Sequence, residues 1–494
     1  MNEKAPSIAS AVDAIGPLEE VRSRLRRGNL AVELLRGGTK AALRAGEIQL
    51  SHDELRDRVG RVAGGLAANG VREGDRVAIY ASNSLDWAVA CLGLYWLGAV
   101  VVAINPAYKS AEAEHIFDDS DPRVVISDQA HMPIVMRLGR PSLLLENLPL
   151  DVAPELAAVG EESPALIIYT SGTTGTPKGA VLDHGNLLAQ IRGAVDCWRW
   201  SSRDRLVHAL PLFHLHGLGM GLHGTLITGA AATLMQFSPE GVLRELTVGG
   251  GTMFFGVPAM YQRICDYLDE HPVDLSAVRL FVSGSAPLPP ALFDRCARLL
   301  GQPPIERYGI TEGGIVVSNP YDGPRRAGRV GHPLPGVEVA LGDKNEIWLK
   351  GGQVFSSYWD NPAATTAAFT ADRWFRTGDI GEIADDGSLA IRGRLKELII
   401  SGGFNVYPRE VELVLEGHSA VAEVAVIGLP SDRWGEEVTA FVVLASGTNV
   451  TEAELITYAR EQLADFKCPR AVRFTASLPR NAMGKVQRDR LAPQ

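Results

Sequence analysis

The sequence predicts an α/β protein in two parts, a large layered α/β N-terminal domain followed by a small α+β C-terminal domain. Three observations predict it. Helix signals alternate with short apolar strands through the first four hundred residues or so, the pattern of helices layered on a sheet. At 494 residues the chain exceeds what a single core serves, so two or more domains are expected. Near Gly393-Arg394-Leu395-Lys396-Glu397 the character changes, and the segments downstream are short. We place the boundary there, giving domains of residues 1–394 and 395–494.

Ser51-His52-Asp53-Glu54 is a capping box, opening a helix with Leu55, Val59, Val62 and Leu66 on one face. Asn69-Gly70 closes that helix, and Val77 to Tyr80 follows as a strand. From Trp87 to Ile104 the chain carries no charge and approaches the length of a membrane span. Gly93 and Gly98 interrupt it, and Val100-Val101-Val102 reads as a buried strand after a short helix, so it belongs to a core. Ala165 to Tyr169 and Ala180-Val181-Leu182 read as two further buried strands. Downstream of the boundary, a helix from Pro408 to Leu415 leads to strands Val421 to Ile427 and Val438 to Leu444. A helix capped by Thr451 and Glu454 follows. That unit is roughly a hundred residues, an ordinary domain size.

Between the two central strands runs Thr170-Ser171-Gly172-Thr173-Thr174-Gly175-Thr176-Pro177-Lys178-Gly179. Small, hydroxylated and glycine-rich residues let backbone N–H groups and hydroxyls crowd around an anion, with a lysine beside them. This is chemistry for holding a polyphosphate. It is not a Walker A loop, because Gly179 follows Lys178 where that motif has Ser or Thr.

Composition narrows the partners. Apolar content of 46% with 21% charged residues suits a globular enzyme. A net charge of −10 argues against a nucleic-acid or membrane-surface protein, so positive charge for a polyphosphate must be local. Met1 to Arg27 lacks the apolar centre of a signal peptide. Five scattered cysteines without C-x-x-C spacing indicate neither a disulfide framework nor a zinc site, and a cytoplasmic location is expected.

Further motifs follow in a fixed order. They are Leu210-Pro211-Leu212-Phe213-His214-Leu215-His216-Gly217, Ser283-Gly284-Ser285-Ala286, Glu306-Arg307-Tyr308-Gly309-Ile310-Thr311-Glu312, Arg376-Thr377-Gly378-Asp379 and Gly393-Arg394-Leu395-Lys396. Ser401-Gly402-Gly403 and Pro479-Arg480-Asn481-Ala482-Met483-Gly484-Lys485 complete the series. With these in order, the chain resembles the adenylate-forming superfamily of acyl-CoA synthetases, peptide-synthetase adenylation domains and beetle luciferases, from about Ser51 to Leu491.

The resemblance implies the adenylate-forming fold, with a mobile C-terminal domain, and a reaction in two halves. A carboxylate attacks the α-phosphate of ATP, and a thiol, that of CoA, then displaces AMP. It implies that Thr170, Ser171, Gly172, Thr173, Thr174, Gly175 and Lys178 hold the phosphates. Glu312, with Thr170, would ligate Mg²⁺, a hard cation suited to oxygen donors. Tyr308 would stack on adenine, opposite Gly284, Ser285 and Ala286, with Gly309 and Thr311 alongside. Asp379 would accept from the ribose hydroxyls and Arg394 would approach the same ribose. Lys485 would meet the charge developing between carboxylate and α-phosphate, with Glu312 and His214 also counted as catalytic. Lys396 would be the hinge about which the small domain turns, bringing Ser401, Gly402 and Gly403 to the CoA tunnel.

Which acid is a separate question. The residue before Tyr-Gly-x-Thr-Glu is small or polar in most of the superfamily, and here it is Arg307. Burying an arginine unpaired costs about 3–5 kcal/mol, and a second carboxylate on the substrate would satisfy it. This form, with Phe213-His214-Leu215-His216 and Phe255-Gly256-Val257-Pro258, resembles malonyl-CoA synthetases. His214, His216, Arg307 and Ile310 would then bind malonate or methylmalonate. The sequence departs from that pattern at Ile310, usually methionine, and at Gly313-Gly314-Ile315. An internal salt bridge of Arg307 with Glu306 or another acid stays open as the alternative, with a short- or medium-chain fatty acid as substrate. A nucleotide-binding protein without chemistry also stays open, although Glu312, Asp379 and Lys485 are all present.

Overall fold

The computed structural model describes residues 28–170, 177–401, 404–431, 433–480 and 486–491. It is an α/β protein with a large N-terminal domain and a small C-terminal one, and its described strands form four sheets. Two of them make the body. The seven-stranded sheet runs Ser357–Tyr358, Lys178–Asp183, Pro164–Thr170, Val100–Ala103, Arg76–Tyr80, Val124–Ser127 and Ser142–Leu144, parallel from Pro164–Thr170 onward. The nine-stranded sheet has a parallel centre of Ile305–Ile310, Leu280–Ser283, Met253–Gly256, Arg205–His208, Ala231–Leu234 and Ala41–Ala45, with antiparallel strands at both edges.

Helices Leu85–Trp96 and His184–Trp198 lie between these sheets, touching strands of both. Leu85–Trp96 is apolar all round because all of it but Asp86 is buried. The uncharged stretch from Trp87 to Ile104 is thus core helix plus the central strand Val100–Ala103, and no helix among the described residues is long and apolar enough to cross a membrane. The strand centres are apolar on both faces because each sheet is covered on both sides.

Local signals and packing agree at the helix starts. Ser51 Oγ accepts from the Glu54 N–H at 3.2 Å while Glu54 returns a bond to the Ser51 N–H at 2.7 Å. The same reciprocal pair joins Thr451 and Glu454 ahead of helix Glu452–Arg460.

The third sheet is antiparallel: Val337–Leu341, Glu346–Gly351, Phe375–Ile383 and Leu389–Arg394. Arg394 ends its last strand, the single turn Leu395–Glu397 follows, and Ile399 opens the fourth sheet. That sheet pairs the long hairpin Val421–Ser431 and Gly435–Leu444 with Ile399–Ser401, Phe404–Val406 and Ala471–Phe474. Helices Pro408–Glu416 and Glu452–Arg460 cover it over a separate core containing Val411, Leu415, Val426, Val442 and Leu455.

Candidate active site

The loop expected to hold phosphates joins two strands of one antiparallel hairpin. Thr170 pairs with Lys178 at its mouth, and Ser171, Gly172, Thr173, Thr174 and Gly175 lie outside the described residues. Strand Ser357–Tyr358 adds to this hairpin on the Lys178–Asp183 side, which brings Tyr358 to the loop. Lys178 Nζ sits 5.6 Å from the centre of the Tyr358 ring, a cation–π arrangement that orients the ammonium. Tyr358 Oη in turn donates to Glu312 Oε1 at 2.9 Å. Burial pushes the Glu312 carboxyl up, and the Tyr358 hydroxyl opposes that by stabilising the anion.

A second cluster forms where the third sheet meets the nine-stranded one. Asp379 and Arg394 are cross-strand partners, and Arg394 Nε lies 2.6 Å from Asp379 Oδ1. Tyr308 Oη donates to Asp379 Oδ2 at 2.6 Å. The backbone is fixed as well. The Asp379 N–H donates to Thr377 Oγ1 at 3.0 Å, and Gly378, at φ 68°, donates its N–H to Glu346 Oε1 at 3.0 Å.

The third cluster surrounds Arg307. A one-residue bulge at Val316, in the partner strand opposite the step from Tyr308 to Gly309, breaks the regular pairing just beyond Arg307. Arg307 is buried, with Nε and Nη2 lacking any hydrogen-bond partner, and no ion pair forms to it among the described residues. Desolvation pulls its guanidinium down to about 9, still cationic at neutral pH. Glu306 does not supply the counter-charge. Strand alternation turns it to the other face, where it accepts from the Gly328 N–H at 3.3 Å and burial pushes it up to about 7. The internal salt bridge held open above is therefore not formed.

Arg307 packs directly on the Ser283–Ala286 turn. A Cβ on Gly284 would lie 2.3 Å from Arg307 Nε, so a larger residue there would displace the guanidinium. Ser285 follows in the left-handed region at φ 67°, a strained setting of the kind concentrated at functional sites, and with Ala286 it is exposed. Its Oγ lies 3.2 Å from His216 Nδ1. His214 Nδ1 accepts from the His216 N–H at 3.1 Å, which places the proton of neutral His214 on Nε2, free to donate. Burial, and then the Arg307 charge, pull His214 down to about 4 and His216 further. The site is a cation flanked by two neutral imidazoles, a receptor for an anion.

Sequence reasoning found the members of each cluster but not what ties them. Tyr358 sits on a two-residue strand with no periodic signal, and only its pairing to Lys178–Asp183 reveals it. The π-helix His216–His223, which follows directly on the His214 motif, was also not anticipated. Ile310, Gly309 and Thr311 are half-buried beside Glu312. Lys396 is exposed in the turn between the third and fourth sheets, and Ser401 is buried at the end of Ile399–Ser401. Gly402, Gly403 and Lys485 lie outside the described residues.

The buried histidines set an acid limit on stability. Burial holds His184 and His208 near 4 and His223 near 3, and lowers His52, as it does His214 and His216. Their native values lie below the unfolded one, so below pH 6.5 the unfolded state binds protons the native state refuses. The four held at about 4 or below, His184, His208, His214 and His223, then each cost about 1.4 kcal/mol by pH 5.5, and His52 and His216 act in the same direction. Glu306 at about 7 and Asp183 at about 6 act in the opposite sense, because burial raises them and the native state protonates first. The histidines outweigh the two carboxyls, leaving a net loss of a few kcal/mol between pH 7.5 and 5.5. Urea midpoints at those two pH values check it, and equal midpoints would contradict it.

The chain is similar to known proteins over most of its length. Residues 33–359 match the AMP-binding enzyme family, and residues 410–485 match the AMP-binding enzyme C-terminal domain. The mitochondrial malonate–CoA ligase of Bos taurus is 35% identical over 487 residues, covering 86% of this chain and 82% of that protein. Feruloyl-CoA synthase of an Amycolatopsis species is 38% identical over 464 residues, covering 90% and 94%. The crystal structure of ATP-bound MatB from Rhodopseudomonas palustris superposes with a TM-score of 0.89 at 36% identity, covering 94% of this chain and 98% of that one. The chain belongs to the AMP-binding enzyme family, as an AMP-forming acyl-CoA synthetase that joins an acid to CoA at the expense of ATP.

Proposed function

We propose that the acid is malonate or methylmalonate. The observation that carries this reading is Arg307, a buried cation with no counter-ion among the described residues, beside two neutral histidines. A three-carbon diacid supplies the missing charge through its distal carboxylate, in a bidentate pair with the guanidinium. Its other carboxylate is left to react. The relatives named as malonate–CoA ligases agree with it, while the feruloyl-CoA synthase of similar identity makes the acid a matter for direct test.

In the first half-reaction a carboxylate oxygen attacks the α-phosphorus, and the P–O bond to pyrophosphate breaks. Thr170 to Lys178 hold the leaving phosphates, with Lys178 steadied over Tyr358. Glu312 and Thr170 present a carboxylate and a hydroxyl, oxygen donors that would hold Mg²⁺, which would supply neutralising charge for the departing pyrophosphate. Tyr308 and the Gly284–Ala286 turn sandwich adenine, and Asp379, oriented by Tyr308 and Arg394, takes the ribose hydroxyls. Lys485 stabilises the charge shared between carboxylate and α-phosphate. In the second half the CoA sulfur attacks the acyl carbon and AMP leaves. Rotation about Lys396 removes Lys485 and brings Ser401, Gly402 and Gly403 to the pantetheine path. Free cysteines throughout the described residues suit a reducing compartment such as the cytoplasm.

The test is a pyrophosphate-release screen with CoA over acetate, propionate, butyrate, octanoate, malonate, methylmalonate, succinate and ferulate. Malonate or methylmalonate is expected to give the highest kcat/KM. Release with a monocarboxylic acid and none with either diacid would end the reading.

A further inference from the structure

Gln190 lies on helix His184–Trp198, which touches both the π-helix His216–His223 and strand Gly314–Ser318. Those two elements belong to the segments that carry His214, His216 and Arg307. Gln190 is 2% exposed, and neither Nε2 nor Oε1 has a hydrogen-bond partner among the described residues. A buried amide without partners is destabilising, so this one is poised to gain from a bound partner.

The space around it is shaped from both sides. A Cβ on Gly219 would lie 2.6 Å from Gln190 Nε2, and a Cβ on Gly314 would lie 2.0 Å from Oε1. Gly219 comes three residues after His216, and Gly314 pairs with Ile310 across the hairpin that carries Arg307. Gly314 also has φ 61°, where other residues are strained. The departure from the malonyl-CoA synthetase pattern at Gly313-Gly314 therefore makes room for the Gln190 amide. Nothing in the chain fixes which way that amide is turned, so it can present its N–H₂ to a ligand oxygen.

We propose that Gln190 is a specificity-determining residue of the acid pocket, hydrogen bonding the non-reacting polar end of the bound acid. The identity of that end as a carboxylate rests on the diacid reading above. Gln190 and Arg307 then recognise the acid by different means, one by shape and hydrogen bonding, the other by charge. Ile310, expected to touch the acid, pairs with Gly314 across the same hairpin.

Gln190→Met tests it, because methionine keeps the length and removes both hydrogen-bonding atoms. In pyrophosphate exchange, the KM for malonate is expected to rise about 10- to 100-fold, the effect of losing a hydrogen bond to a charged group. The KM for ATP and the exchange with propionate stay unchanged, and the melting temperature does not fall. Gln190→Glu, which sets a like charge before the distal carboxylate, lowers malonate use further. An unchanged malonate-to-propionate ratio in both variants overturns the inference, as does a lower melting temperature with equal loss for both acids. If Arg307→Gly loses malonate use while that ratio stays fixed in Gln190→Met, the diacid reading stands and this inference falls. If the wild type uses ferulate and no diacid, the diacid reading falls. The inference then stands only if Gln190→Met reduces the preference for ferulate over cinnamate.

Discussion

Arg307→Gly is expected to abolish malonate-dependent pyrophosphate exchange while leaving exchange with propionate or butyrate at its wild-type level. The guanidinium is buried, cationic and without a counter-ion among the described residues, so its partner comes with the substrate. Removing one member of such a desolvated charge pair costs about 2–5 kcal/mol, roughly 30-fold to several thousand-fold in kcat/KM. A monocarboxylic acid has no group to lose. Arg307→Met separates the charge from the volume: it fills the space over Gly284 but cannot pair with a carboxylate. Because the wild type buries the charge unpaired, the Met variant is expected to melt at a higher temperature without ligand, a stability–function trade-off. Adding malonate then raises the melting temperature of the wild type and not of the variant. Equal loss across all acids would show that Arg307 only supports the Ser283–Ala286 turn.

Lys396→Pro is expected to spare adenylate formation and to slow thioester formation about 100-fold or more, the scale of misplacing reacting groups by an ångström. Lys396 is the second residue of the turn Leu395–Glu397, closed by the Leu398 N–H on Leu395 O at 3.4 Å. Proline fixes φ near −65° and restricts the residue before it, so it removes the rotation at this turn. ATP–pyrophosphate exchange measures the first half, and transfer from purified acyl-adenylate to CoA measures the second. Equal loss in both would overturn the hinge role. The C-terminal segment is tied close to this turn, since Arg488 Nη1 lies 3.3 Å from Glu397 and Nη2 lies 2.6 Å from Glu412. Rotation at Lys396 therefore has to carry or break those pairs.

Much of the fold could be read directly because it is written in local chemistry. The capping boxes at Ser51 and Thr451 depend on residues three apart, and both form. The strands around the phosphate loop were legible as apolar runs. In the small domain the extent of strand Val421–Ser431 differs by a few residues, because hairpin pairing carries it past its last apolar residue. The π-helix His216–His223 was not legible, since one turn of π-helix has no distinct period and its shape follows from packing.

The sequence by itself determined the superfamily, the order of the motifs and the list of chemically active side chains, since these are properties of residue type and spacing along one chain. It also singled out Arg307 as unusual. The tertiary structure decided what those residues do to one another. It turned Glu306 away from Arg307, closed Gly284 against the guanidinium, set Tyr358 between Lys178 and Glu312, and left the Gln190 amide unpartnered between two glycines. The physical reason is that a side chain's partners come from segments tens to more than a hundred residues away, brought together by sheet register and helix packing. Whether a buried charge is paired depends on those partners and not on its neighbours in sequence.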